Sequence, residues 1–207
     1  MAPTVTPTAT YSYRCLGPAR LEGPGGRPLS LKTRKVAALL YLLARQPGKA
    51  VAREEITELF WPGYAEAESR HSLAQTVSLI NKELGGTALE TYRAGGVTLR
   101  EGLVTLDVTR FEAAVKAGDN EAAHALWGGR VLEGLNIPRA PDWEHWLAGE
   151  RARVERLYRG VLHALGEKRR AAGDWEGMER MAETLLTFDS LDEKAMLLCL
   201  ESMSLRG

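Results

Sequence analysis

Two cysteines, Cys15 and Cys199, are the whole thiol inventory of this 207-residue chain, and they share no C-x-x-C spacing. That excludes a disulfide framework and points to a reducing compartment. Apolar runs are short as well: none approaches the ~20 residues that cross a bilayer, so a membrane partner is not expected. The opening MAPTVTPTAT has neither a charged segment nor an apolar core. It reads as a disordered lead-in over residues 1–10 rather than a signal peptide, and the expected location is cytoplasmic.

The signatures of chemistry are missing too. There is no G-x-x-x-x-G-K-[ST], no G-x-G-x-x-G and no G-x-S-x-G, and Gly23-Pro24-Gly25-Gly26 reads as a plain turn. His71, His124, His145 and His163 show no H-E-x-x-H or other metal-ligand spacing, and neither cysteine is paired with a histidine. Glu144 and Glu150 flank His145 with nothing to indicate a pocket. No enzyme, no metal and no cofactor is expected. Net charge is zero, but unevenly placed. Residues 1–106 carry 13 Lys/Arg against 9 Asp/Glu, and residues 107–207 carry 14 against 18. The first half is the better candidate for a polyanion partner.

What is present is a strong pattern between Tyr11 and Asp107. Loose alternation over Tyr11–Leu31, punctuated by Gly-Pro turns, predicts short antiparallel strands. Val36, Leu39, Leu40 and Leu43 predict a helix over about 33–44, stopped by Pro47-Gly48. A second short helix over about 53–60 ends at Trp61-Pro62-Gly63. A third covers about 66–84. At 100° per residue its Leu73, Val77, Ile80 and Leu84 form one stripe, and His71, Gln75, Ser78 and Lys82 lie opposite. LETYRAGGVTLREGLVTLD then predicts two alternating strands around Gly95-Gly96.

Helix, helix, turn, helix, hairpin is the order of a winged helix-turn-helix, which sets its last helix in the DNA major groove. On that reading Gln75 would read an adenine edge, Ser78 a base or a phosphate, and Arg70 and Lys82 phosphates, with His71 on the same face. Arg93, and with it Arg100, would reach the backbone from the hairpin. The plainer alternative is a solvated helix face and a solubilising hairpin.

After Asp107 the pattern is helical. Ala117-Gly118-Asp119-Asn120-Glu121 recurs as Ala172-Gly173-Asp174-Trp175-Glu176, with Asp119 a natural N-cap. A long helix over about 142–171 lies between them. Such self-similar helical hairpins suggest a tetratricopeptide-like stack, which offers surface to partners and has no chemistry of its own. Trp127, Trp143, Trp146 and Trp175 could line a groove, though aromatics at helical spacing more often form core. Glu167-Lys168-Arg169-Arg170 reads as a solvated face.

LKTRKVAALLYLLARQPGKAVAREEITELFWPG, SRHSLAQTVSLINKELGG, the Gly-Gly hairpin and LDVTRFEAAV together resemble the bacterial transcriptional activator domain proteins, including the antibiotic regulatory proteins of actinomycetes. The resemblance covers about residues 14–207. It implies an α+β fold, an OmpR-type winged helix (residues 11–106) followed by an all-α tetratricopeptide-like activator domain (107–207). It also implies double-stranded DNA as partner, a nucleoid-associated location, and dimer, RNA polymerase or effector contacts through the helical half. Gln75, Ser78, Lys82 and Leu84 match the family helix, while Ala74, Leu79 and Asn81 stand where it commonly carries arginine. Fewer phosphate anchors imply weak binding by a lone protomer and a need for dimerisation or tandem sites. The family normally continues with another helical hairpin after Leu191–Leu205, whose apolar face is therefore expected to dock on further chain or on another protomer. A protein-interaction adaptor with a purely structural winged helix is the alternative.

Overall fold

The computed structural model describes residues 11–92 and 95–206, so the lead-in at 1–10 and the expected wing arginine, Arg93, lie outside the described residues. The chain divides into two compact units. One holds the chain up to Thr109 together with Gly129–Glu150, and the other holds Arg110–Gly128 and Arg151–Gly207.

The first unit opens with β1 (Tyr11–Arg14), β2 (Arg20–Glu22) and β3 (Pro28–Leu29), paired antiparallel as the alternation predicts. Three helices follow: α1 (Arg34–Ala44), α2 (Arg53–Phe60) and α3 (Glu66–Glu83), with a two-residue strand β4 (Val51–Ala52) before α2. Then β5 (Leu89–Thr91) and β6 (Gly96–Leu99) form the expected hairpin, and β6 also pairs with β4. The expected second hairpin strand does not run on to Asp107. Val104–Leu106 is a separate strand, β7, that leaves the hairpin and lies parallel to β1, giving the order β3-β2-β1-β7. A parallel partner so far away in sequence leaves no local signature, which is why alternation alone could not place it.

Helix α1 is the axis of this unit. Thr33 caps it, its hydroxyl accepting from the Val36 amide at 3.1 Å. The apolar spacing predicts one buried stripe, yet every residue from Val36 to Ala44 is buried. The reason is the returning segment 129–150. Its Trp143 is fully buried, packs on Phe60 at 4.9 Å and stacks on Trp146, whose ring meets Tyr41 edge-on at 6.1 Å. Glu150 accepts from the Tyr41 hydroxyl and pairs with Arg45, both at 2.9 Å. Burial first, then Cys15 and Glu150, push the Tyr41 phenol far above its usual range, so it stays a donor. Trp143 is thus core, and the half-buried Trp146 packs at its edge.

At the junction with α4 (Asp107–Lys116), the Asp107 carboxylate accepts from the Cys15, Leu16 and Val108 amides at 2.8–3.1 Å, tying the end of β1 to the start of the helix. The Cys15 thiol also reaches Asp107. Burial and that carboxylate raise its pKa, so it remains protonated and unreactive.

The second unit contains α5 (Asn120–Leu126), most of the long α6 (Pro141–Ala171), α7 (Trp175–Phe188) and α8 (Glu193–Arg206). The repeated Gly-Asp pairs do the same work twice: Asp119 accepts from Ala122 N–H at 3.0 Å and Asp174 from Gly177 N–H at 2.9 Å. Trp127 stacks on Tyr158 at 4.0 Å, with Phe111 and Phe188 around them, so this half-buried tryptophan packs against the core of the unit. Burial pushes the Tyr158 phenol up to about 12. Arg159 and His163 converge on Asp192, which caps α8 through the Ala195 amide. The outward face of α8 is apolar: Leu197, Leu200 and Met203 are each more than 60% exposed.

Two predictions follow from these links. Asn81 on α3 receives the Leu89 amide at 2.7 Å and donates to the Leu89 carbonyl at 3.3 Å, pinning the hairpin to the helix. Asn81→Ala should cost about 1–2 kcal/mol in denaturant melts and speed exchange of the Leu89 amide, because that half-buried group loses its acceptor. Burial alone would raise the Asp192 carboxyl, but the Ala195 amide, His163 and Arg159 outweigh it and hold the pKa below the usual range. A carboxyl lowered on folding stabilises above its unfolded value, about 3.9, and loses that contribution as pH falls through the folded one. Circular-dichroism melts should therefore show α8 weakening at acid pH in the wild type, with a flatter acid response in Asp192→Asn.

Candidate nucleic-acid interface

Helix α3 has no side-chain N-cap, but Glu66 and Glu68 in its first turn suit the positive end of the helix dipole. Its end is sharply defined. Gly85 takes φ 77°, a region open to glycine, and the Gly86 amide donates to the Asn81 carbonyl at 2.7 Å, closing the last turn. A Cβ on Gly85 would also come within 3.0 Å of the Tyr11 hydroxyl, so the two glycines fix both the stop and the direction of exit.

The stripe of Leu73, Val77, Ile80 and Leu84 is buried, as its spacing predicts. Thr76 joins it, which the angular reading did not single out. Its hydroxyl is satisfied by the Ser72 carbonyl at 2.8 Å, so its methyl can pack without leaving a polar group stranded. Helices α1 and α2 both pack against α3 and hold the stripe down.

Arg70, His71, Gln75, Ser78 and Lys82 are all exposed on α3. They do not all stand independently. Arg70 is tied back to Glu66 at 2.5 Å in an exposed i,i+4 pair. The Gln75 side-chain nitrogen and His71 Nε2 lie 2.8 Å apart. An exposed pair of this kind contributes only about 0.3–0.5 kcal/mol, so a strong anion could displace Glu66 from Arg70 at little cost. The Gln75–His71 contact leaves the Gln75 carbonyl oxygen available as an acceptor.

On the hairpin, Tyr92 is 47% exposed beside the turn, its hydroxyl donating to Glu90 at 3.1 Å. Arg100 reaches back to the Thr87 carbonyl and hydroxyl at 2.5 and 2.6 Å. That arginine braces the loop between α3 and β5.

Two residues to which the sequence assigns no positive role, Asn81 and Arg53, stand beside this face. Asn81 is one of the positions where an arginine is missing, and its amide instead holds the hairpin at a set distance from α3. Arg53, at the start of α2, is half-buried, its backbone amide bonded to the Gly95 carbonyl at 2.8 Å. With Arg70 it borders a hollow of about 540 Å³ between α3 and the hairpin. Arg53 could have been noticed as the only cation in the EEITELF helix. Its neighbourhood could not, because it depends on where β6 lands.

Among the described residues, no group of three or more His, Cys, Asp or Glu side chains could hold a metal ion, and no helix is long and apolar enough to cross a membrane. No curated protein sequence matches the chain. A solved structure of Mycobacterium tuberculosis EmbR in complex with a low-affinity phosphopeptide shares its fold, with a TM-score of 0.69 over 93% of this chain at 21% identity. The match covers 54% of that EmbR chain, so the present chain spans about half its length. The shared architecture is a winged helix followed by a helical domain. Residues 106–207 match the family described as bacterial transcriptional activator domain. That segment, just under half of the chain, is what is similar to the bacterial transcriptional activator domain family.

Proposed function

We propose that this chain is a sequence-specific DNA-binding transcriptional activator without catalytic activity, acting in the cytoplasm at the nucleoid. The observation that carries the proposal is the two-sided character of α3. One stripe is locked into the core, while the opposite side presents His71, Gln75, Ser78 and Lys82 to solvent, with Arg70 exposed at the margin of the stripe. A helix held this way, next to a hairpin, suits insertion into a major groove about 12 Å wide. Gln75 would contact an adenine N6/N7 edge, Ser78 a neighbouring base or phosphate, and Arg70 and Lys82 the backbone. Arg93 would add a wing contact.

At the level of the sequence we assign residues 11–106 to DNA recognition and 107–207 to regulation. The exposed Leu197, Leu200 and Met203 on α8 support a role for the helical part in contacts with a second copy, an effector or RNA polymerase. Few phosphate anchors per protomer favour binding as a pair, with half-sites about 10–10.5 base pairs apart.

Selection from random duplexes at low salt, followed by a salt series, tests this. An enriched motif is expected. Gln75→Ala should relax specificity at one position by about 1–3 kcal/mol, and Lys82→Ala should lower the salt slope by about one unit with little change in motif. If no sequence is enriched and both variants are silent, the winged helix is structural and the chain is a protein-interaction adaptor.

A further inference from the structure

The hollow between α3 and the hairpin has a composition that DNA reading does not explain. Its floor is apolar: Leu73, Val77 and Val97 are 3%, 8% and 0% exposed. It stays open because the residues around it are short. Ala74 and Ser78 line it from α3, and Gly86 and Thr91 complete the lining. The rim carries two cations, Arg53 and Arg70, and among the described residues no carboxylate lines it. Glu66 on α3 holds Arg70 only through an exposed pair. The Asn81 amide is already spent on Leu89. What remains at the rim is therefore donor-rich and positive, above a dry floor.

We propose that this hollow is a binding site for a small organic acid with an apolar body, and that its occupation switches off DNA binding. The volume, about 540 Å³, lies in the range of small-molecule sites, and an apolar floor with a few convergent polar groups is their usual make-up. The apolar body rests on Leu73, Val77 and Val97. The carboxylate takes the guanidinium of Arg53 and draws Arg70 from Glu66, making charge-assisted hydrogen bonds. A seated acid covers Ser78 and withdraws Arg70 from the backbone, so acid and DNA exclude one another. The binding site itself does not depend on the DNA reading; the switch rests on it.

1-Naphthylacetate and its uncharged analogue 2-(1-naphthyl)ethanol serve as probes, titrated into the whole chain with methyl groups observed by NMR. Saturable shifts at Leu73, Val77 and Val97 are expected for the acid. Affinity should be weaker by about ten-fold for the alcohol and for Arg53→Gln, the loss of one charge-assisted contact. Ala74→Leu, an exposed helical position, fills the hollow and should abolish the shifts while circular dichroism stays unchanged. Absence of saturation, equal binding of the alcohol, or unchanged binding to Ala74→Leu overturns the site. A second titration follows a random-sequence duplex by fluorescence anisotropy at low salt. Release of the duplex by the acid, but not by the alcohol, is expected. If the acid binds and the duplex stays bound, the switch is wrong while DNA binding stands. If the chain never binds duplex, the switch fails with the DNA reading and the methyl shifts still decide the site.

Discussion

One stripe of α3 has to be buried for the other to be held out. Leu73, Val77, Ile80 and Leu84 are anchored against α1 and α2, and that burial fixes the rotation of the helix about its own axis. Each fully buried side chain of this size is worth about 1.5–3 kcal/mol, an upper figure for a chain that is partly compact when unfolded. Small turns of the helix would lift several of these side chains into water at once. The exposure of Gln75 and Lys82 is therefore a consequence of packing on the far side.

The same constraint explains why so much of the first unit comes from distant sequence. A helix buried all round, as α1 is, needs cover on every side, and three helices with two small sheets do not supply it. Residues 129–150 complete it with Trp143, Trp146 and the Tyr41–Glu150–Arg45 group. The hairpin is likewise placed by specific links. Asn81 grips Leu89, Arg100 braces Thr87, and β4 pairs with β6. Polar residues on α3 that contact no ligand can thus set the geometry in which others do.

Much of this was legible from the chain alone where the signal is local. The 3.6-residue period of α3, the Gly85-Gly86 stop, the Asp119 cap and the Gly-rich hairpin turn each act within a few residues and can be read from spacing. The parallel pairing of β7 with β1 could not be read, because three-residue strands joined across the domain carry no periodicity. Nor could the partner of Asn81, which looked like a missing arginine and is a brace. That the tryptophans pack on apolar neighbours was legible by type, but not on which: Trp143 and Trp146 belong with α1 and Trp127 with Tyr158. The exposed face of α3 was legible in membership and not in its internal pairing, since Arg70–Glu66 and His71–Gln75 depend on rotamers.

If the chain binds DNA as proposed, the outward face of α3 is the surface that meets it. Amide chemical-shift mapping of the whole chain against a duplex at low salt tests it most directly. Shifts concentrated between Arg70 and Lys82 and on the β5–β6 hairpin, fading as salt is raised, are expected. Shifts confined to the helical unit, or none at any salt, would contradict it.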